Sequence, residues 1–160
     1  MSSRVSTLLP SLLALGLILA LRPAHSLAAP DYTDVATCRS ALATVDRAPV
    51  APMPDTLRLV SWNVMKYRRE GAKTILERLA EHADFLALQE GLRTTVTSAP
   101  GLAHRYFADG YERAGEQSGV ELRTRVEASV TCSLRFREPW LRTPKAVLAA
   151  HFPLGEQSLL

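Results

Sequence analysis

The stretch from residue 56 to residue 90 contains two short apolar segments separated by an amphipathic one, and this order constrains the fold most. Residues 56–64 read TLRLVSWNV and residues 84–89 read DFLALQ, and both favour β-strands because they are short, apolar and partly β-branched. Residues 72–82 carry apolar side chains at helical spacing, with charged side chains on the opposite face. Since a strand–helix–strand unit of these lengths almost always forms two parallel neighbouring strands, the sequence predicts an α/β (α+β) domain.

The rest of the chain is rich in predicted strands. A short helix is predicted over residues 35–44. Three prolines exclude a helix or a central strand from residues 48–55, which we interpret as an extended connector. The predicted organisation is a lead-in over residues 29–55, followed by one domain over residues 56–160. Further strands are predicted over residues 104–108, 120–126, 130–136 and 145–152.

The first 28 residues have the features of a signal peptide. Arg4 gives a positive start, and an apolar run of about 14 residues, 8–21, follows it. This run is shorter than the roughly 20 residues that a membrane-spanning helix needs. Small residues place the cleavage site after Ala28, with cleavage after Ser26 or an uncleaved anchor as alternatives. We therefore expect an exported protein, periplasmic or extracellular, without a transmembrane anchor after processing.

The charge of the predicted mature chain is nearly balanced. The full sequence has 19 basic and 16 acidic residues, and Arg4 and Arg22 lie in the predicted signal peptide. Their removal leaves 17 basic residues against 16 acidic ones, a net charge of +1. This balance gives no general electrostatic reason for binding nucleic acid, so any basic surface must be local.

Two cysteines, Cys38 and Cys132, remain in the predicted mature chain. An even cysteine count in an exported chain favours a disulfide, because the compartment lets such a bond persist. We therefore predict a Cys38–Cys132 bond that closes a long loop, with two unpaired thiols as the alternative.

Two oxygen-bearing side chains end the first two predicted strands. Asn63 ends the first strand, and Glu90 ends the second. If the strands are parallel neighbours, both side chains emerge at the carboxyl edge of the sheet, where ligands of open α/β sheets usually bind. A carboxylate and an amide carbonyl are hard donors that suit Mg²⁺. An asparagine or a glutamate at a strand end also often caps a loop, so the pattern alone leaves that interpretation open.

The loop after Asn63 carries basic residues, which include Lys66 and Arg68. These side chains could donate charge-assisted hydrogen bonds to a substrate phosphate near the predicted metal. A solvated loop is the alternative. The two tryptophans, Trp62 and Trp140, are interpreted as packing residues rather than as platforms for nucleobases.

The segments LRLVSWNV and DFLALQEGL, with a helix between them, resemble the opening of the endonuclease/exonuclease/phosphatase family, which has a DNase-I-like fold. Residues 137–145 resemble a segment of an often exported bacterial branch, and the resemblance spans residues 56–154. It implies a two-layer β-sandwich with flanking helices and a metal centre that includes Asn63 and Glu90. It also implies Mg²⁺ or Mn²⁺ as cofactor and a phosphate ester, possibly nucleic acid, as substrate. No oligomeric state follows from it.

Several motifs of that family do not occur in this sequence. They are a strand with a histidine near its end, an Asp-x-Asn pair, and a terminal Ser-Asp-His. These residues would activate water and stabilise charge on the phosphate. We therefore expect a truncated sandwich that is incomplete over residues 56–160 and inactive alone, with a non-catalytic binding domain or a gene fragment as alternatives. His151 is interpreted as structural, and residues 121–125 depart from the small, hydroxyl-rich run usual in the family.

Overall fold

The structure is a computed structural model that describes residues 29–45, 56–95, 97–137, 139–140, 143–154 and 157–159. The predicted signal peptide and most of the Pro-rich connector lie outside these residues. In chain order, the elements are β1 (Asp31–Tyr32), α1 (Val35–Thr44), β2 (Leu59–Asn63), a 3₁₀ turn (Met65–Tyr67), α2 (Ala72–His82), β3 (Phe85–Leu92), β4 (His104–Arg113), β5 (Glu116–Thr124), β6 (Val130–Arg137), β7 (Pro144–Leu154) and β8 (Gln157–Leu159).

The strands form two four-stranded sheets, with orders β2-β3-β5-β4 and β1-β6-β7-β8. β2 and β3 pair in parallel, with Leu59 opposite Phe85 and Asn63 opposite Gln89. The parallel pair predicted from the strand–helix–strand order is confirmed. The predicted fold class is also confirmed, because the described residues form a mixed α+β structure with two sheets and few helices.

Aromatic residues fill the space between the two sheets. Phe85 of β3 packs edge-on against Phe152 of β7, with ring centroids 5.0 Å apart, and Tyr106 of β4 lies 6.4 Å from the same ring. Ala128 and Ala150 complete this cluster. Small residues beside large rings let the two layers approach closely, as in other β-sandwiches.

Helix α2 covers the outer face of the first sheet. Leu76 and Ala80 of α2 are fully buried against Leu86 and Leu88 of β3, and Val64 joins them. The spacing of these helical residues by four places them on one face. The burial of this face fixes the crossover between β2 and β3.

Residues of the predicted lead-in pack on the second sheet. β1 pairs in parallel with β6, and α1 begins at Asp34, whose carboxylate accepts hydrogen bonds from the backbone of Ala36 and Thr37. Cys38 and Cys132 lie at disulfide distance, with Cα atoms 5.7 Å apart, and this is the pair predicted from the sequence. The disulfide ties α1 to β6 in a small apolar cluster.

The hairpin of β4 and β5 is longer than the sequence predicts. β4 ends at Arg113 and β5 begins at Glu116. The two turn residues between them, Ala114 and Gly115, have positive φ angles of 52° and 79°. Positive φ at both positions is typical of a type I′ turn, which matches the twist of paired strands. The prediction was wrong here because the polar residues near the turn do not alternate with apolar ones.

Across the described part of the chain, we find no helix that combines the length and the apolar character needed to cross a membrane.

Candidate metal and phosphate site

Asn63, at the end of β2, lies beside Glu90, which the sequence placed at the end of the second strand but which lies two residues before the end of β3. The Nδ2 atom of Asn63 donates a hydrogen bond of 3.1 Å to Oε1 of Glu90. Because the two strands are parallel and in register, both side chains leave the sheet at the same edge. The two side chains are therefore in direct contact at this edge.

Glu90 sits in a β-bulge. The pairing of β3 with β5 shifts register between Gln89 and Gly91, so no residue of β5 is paired with Glu90. The φ angle of Glu90 is +52°. A bulge of this kind bends the strand and re-aims a side chain. The left-handed backbone of a non-glycine residue costs about 1–3 kcal/mol and persists only where the surroundings enforce it. Such strain is concentrated at functional sites, which makes Glu90 a functional candidate.

The loop after β2 holds Asn63 in place. The Oδ1 atom of Asn63 accepts a hydrogen bond of 2.9 Å from the backbone N–H of Met65. Met65, Lys66 and Tyr67 all have positive φ angles, so the chain turns sharply directly after the strand. The amide thus points its nitrogen at Glu90 and its oxygen at the loop.

The donor set fits a hard divalent cation. A carboxylate and an amide oxygen are typical protein ligands of Mg²⁺, which completes its shell with water and substrate oxygens. The amide oxygen of Asn63 has a second lone pair beyond the one that Met65 uses. In the parts of the chain that the structure describes, no group of three or more His, Cys, Asp or Glu side chains could hold a metal ion. A cation here would therefore depend on Glu90, Asn63 and non-protein oxygens.

An open depression of about 440 Å³ lies at this edge; we call it the metal-side depression. Asn63, Glu90, Lys66 and Lys145 are among its lining residues.

Two glycines, Gly110 and Gly119, also line the metal-side depression. A Cβ atom at Gly119 would lie 2.0 Å from the carbonyl oxygen of Ala108, so no larger residue fits there. Gly110 occupies a second bulge, where the pairing of β4 with β5 shifts register between Asp109 and Tyr111. The depression therefore lies where two bulges flank Gly119.

The two predicted phosphate-binding residues, Lys66 and Arg68, line one depression together, and only Lys66 also lines the metal-side depression. Lys66 lines the metal-side depression together with Asn63 and Glu90. Arg68 lines a neighbouring depression of about 360 Å³, which also contains Lys66 and Arg113. We call this second space the arginine-side depression.

A buried charge network lies beneath the site, and sequence reasoning did not find it. Glu121 is completely buried; it accepts hydrogen bonds from Nε of Arg123 and, over 2.9 Å, from Arg105. Arg123 also donates to the backbone carbonyl of Thr97 over 2.8 Å and to its hydroxyl over 3.1 Å. The signal was present in residues 121–125, where charged side chains at alternate positions share one face of β5.

The network touches both parts of the site. A Cβ atom added at Gly91, directly after Glu90, would lie 3.5 Å from Oε2 of Glu121. Tyr67, at the end of the loop after Asn63, is partly buried beside the same charges. Burial raises the pKa of the Tyr67 hydroxyl, and the negative charge of Glu121 raises it further. The network thus supports the bulge on one side and the loop on the other.

His151 lies away from these residues. It is buried on β7, and its Nδ1 atom is 2.7 Å from the hydroxyl of Ser129. A buried histidine with one hydroxyl partner agrees with the structural role expected from the sequence.

Sequence comparison finds relatives of unassigned function. No protein-family model matches the chain. A UPF0294 protein of Yersinia enterocolitica is 31% identical over 117 residues, which cover 70% of this chain and 45% of that protein. A UPF0294 protein of Vibrio cholerae is 30% identical over 112 residues, which cover 67% of this chain and 39% of that protein. The chain spans less than half the length of these curated relatives.

Structure comparison supports the fold. An endonuclease/exonuclease/phosphatase family protein from Leptotrichia buccalis matches with a TM-score of 0.50 and 12% sequence identity. The match covers 64% of this chain and 51% of that protein. The chain is therefore similar in sequence to UPF0294 proteins, and its fold is similar to that of an endonuclease/exonuclease/phosphatase family protein.

Proposed function

We propose that this chain carries the metal-binding part of a phosphoesterase site. Asn63 and Glu90 would hold a divalent cation, Mg²⁺ or Mn²⁺, and the cation would bind the phosphate of an ester substrate. One observation supports this proposal above all: the two side chains meet at 3.1 Å at the carboxyl edge of parallel strands. The superfamily of the fold neighbour supports the same chemistry.

The residues around the pair have distinct roles in this proposal. A bound cation would polarise the phosphate and neutralise charge that develops on its oxygens. Asn63 orients the Glu90 carboxylate through the Nδ2 hydrogen bond. Lys66 and Lys145, which line the metal-side depression, would donate charge-assisted hydrogen bonds to other phosphate oxygens.

The chain is proposed to bind its substrate more readily than it hydrolyses it. Hydrolysis needs a group that takes a proton from the attacking water. No histidine or aspartate is among the described residues that line the metal-side depression. Glu90 is assigned to the cation, so an efficient base is not at hand. A non-catalytic binding domain for phosphate esters is accordingly the second candidate.

Export to the periplasm or the extracellular space is proposed as well. The cysteine pair at disulfide distance is compatible with an oxidising compartment. The apolar N-terminal segment supports cleavage after residue 28. Residues 56–160 are proposed to form one domain related to the fold neighbour.

Metal titration tests the proposed function. The dissociation constant for Mn²⁺ is measured by the paramagnetic resonance signal of free Mn²⁺ for the wild type and for Glu90→Gln. We expect the constant to rise at least about tenfold in Glu90→Gln, because one of two protein ligands loses its charge. Glu112→Gln removes an exposed carboxylate of β4 and should leave the constant unchanged. Equal binding by the wild type and Glu90→Gln would contradict the proposal.

Hydrolysis of a generic aryl phosphodiester in Mg²⁺ separates the two candidates. We expect no turnover above background for the wild type. Mg²⁺-dependent turnover that disappears in Glu90→Gln would show that the chain is a complete enzyme.

A further inference from the structure

The arginine-side depression is continuous with the proposed metal site. It shares Lys66, Tyr111 and Ser118 with the metal-side depression, so both spaces meet along one line of residues. Beyond that line it is lined by Arg68 from the loop after β2 and Arg113 from the β4–β5 hairpin. A ligand anchored at Asn63 and Glu90 could therefore extend into it without crossing the sheet.

The basic residues of this depression are available for a ligand. Arg68, Arg113 and Lys66 make no ion pair with any residue that the structure describes. By contrast, the arginines that form ion pairs among the described residues do not line this depression. These pairs are Arg93–Asp109, Arg105–Glu121, Arg123–Glu121 and Arg125–Asp84.

One carboxylate competes for these cations. Glu116 lines the same depression and lies opposite Arg113 in the hairpin register. Three cationic side chains against one carboxylate leave a local positive charge. This is the local basic surface that a nearly neutral chain needs to bind a polyanion.

The walls of the depression are built from constrained backbone. The loop that carries Lys66 has three consecutive positive φ angles, and Arg113 precedes a two-residue turn in which both φ angles are positive. The hydroxyl of Ser118 donates a hydrogen bond of 3.1 Å to the carbonyl of Tyr111, directly after the bulge in β4. Such constraints reduce the entropy lost when a ligand binds.

An exposed aromatic ring stands between the two depressions. Tyr111 is 38% exposed and lines both spaces. A partly exposed ring flanked by cations suits a stacked nucleobase with a phosphate on either side. A small polyphosphate has no planar group that would use the ring.

We propose that the depression lined by Lys66, Arg68 and Arg113 binds a second phosphate of a single-stranded nucleic acid. Tyr111 stacks on a base between this phosphate and the one at the metal site. The proposal rests on the proposed function, since it takes Asn63 and Glu90 as the place of the first phosphate. It selects a phosphodiester strand over a phosphomonoester as the ligand.

Fluorescence anisotropy with a labelled oligothymidylate of about eight nucleotides tests this proposal. The titration is done in EDTA, so that no cation at Asn63 and Glu90 contributes to binding. We expect Arg113→Gln to weaken binding about fivefold and to reduce the slope of log Kd against log salt by about one. Tyr111→Leu should weaken binding about fivefold or more without changing that slope.

The matched control is Arg39→Gln, which removes an exposed arginine of α1 and should change neither quantity. Inositol hexakisphosphate is the competing ligand. The proposal would be overturned in favour of a small polyanion by two results together. Inositol hexakisphosphate would displace the oligothymidylate strongly, and Tyr111→Leu would bind the oligothymidylate as tightly as the wild type. Lack of oligonucleotide binding by the wild type in EDTA and again in Mg²⁺ would also overturn the proposal. So would an effect of Arg39→Gln equal to that of Arg113→Gln.

The metal titration keeps this proposal separate from the proposed function. Arg113→Gln should bind Mn²⁺ as the wild type does. If Glu90→Gln binds Mn²⁺ normally while Arg113→Gln loses oligonucleotide, the metal assignment fails and the phosphate subsite stands alone. If Glu90→Gln weakens Mn²⁺ binding while Arg113→Gln leaves oligonucleotide binding unchanged, the phosphate subsite fails and the metal assignment stands.

Discussion

Gly119 shows at the scale of one residue why the site is shaped as it is. It pairs with Gly91 on one side and Asp109 on the other, directly beside both bulges. A methyl group there would meet the backbone oxygen of Ala108, which cannot rotate away as a side chain can. The floor of the metal-side depression thus depends on the absence of a side chain.

We predict that Gly119→Ala lowers the free energy of unfolding by about 3 kcal/mol or more, since β4 and β5 must separate locally. Gly71→Ala is the control: its φ angle is +75°, but nothing lies within 4 Å of the added Cβ atom. That substitution should cost only the backbone strain, about 1 kcal/mol. Urea unfolding measures both, and equal losses would contradict the contact.

Tyr67 gives a prediction that depends on pH. Its pKa is raised above the usual 10.0, first by burial and then by Glu121. The folded state therefore holds the phenol proton more tightly than the unfolded state does, so this stabilisation is complete below pH 10 and is lost as the pH rises further. Between pH 9 and pH 11 the wild type should lose more stability than Tyr67→Phe does. The pKa of Tyr106 is raised too, mainly by burial, so the variant should keep part of the dependence. Chemical denaturation at pH 9 and pH 11 measures the free energy of unfolding of both proteins. If the wild type and Tyr67→Phe lose the same amount, the pKa of Tyr67 is not raised.

The elements differ in how well the sequence predicted them. The unit β2–α2–β3 was predicted because its apolar residues follow the period of each element, and α1 was predicted over the same residues as observed. The bulge at Glu90 was not predictable, because it depends on pairing with β5, about thirty residues later. The hairpin turn was also missed, since Ala114 and Gly115 acquire their conformation from the paired strands.

The candidate site was predicted in the same uneven way. Asn63 and Glu90 could be found because each follows a recognisable apolar run, although β3 continues past Glu90 to Leu92. Arg113, Tyr111 and the buried Glu121 could not, because they reach the site through β4 and β5, whose register only the folded sheet defines.

At the element scale, the buried charges of β5 give a further prediction. Glu121→Leu leaves Arg123 without its carboxylate in a buried place, which should cost about 3–5 kcal/mol. The double variant Glu121→Leu/Arg123→Leu removes the two most buried charges and should recover most of that loss, because Arg105, the other partner of Glu121, has a side chain that is 27% exposed. Urea unfolding of the single and double variants checks this; a double variant as unstable as the single one would contradict a mainly electrostatic cost.

The whole molecule depends on a link between distant parts of the chain. The cysteine pair joins residues separated by 94 positions, and it connects α1 to the second sheet. In the chain-entropy account, a loop of this length contributes roughly 4–5 kcal/mol by restricting the unfolded state.

We predict that reduction lowers the melting temperature strongly, and that the double variant Cys38→Ser/Cys132→Ser melts at the temperature of the reduced wild type. Calorimetry with and without reductant measures this effect. Reductant should not change the melting of the double variant. A wild type that melts equally in both conditions would contradict the stabilising role of the bond.

The central claim is that one divalent cation binds between the ends of two parallel strands. Paramagnetic broadening of backbone amide signals by Mn²⁺, in isotope-labelled wild-type protein, tests it most directly. The account predicts that the amides of Asn63, Met65, Glu90 and Gly91 broaden first, at substoichiometric Mn²⁺. Broadening that begins at α1 or along β6, with those four signals unaffected, would contradict it.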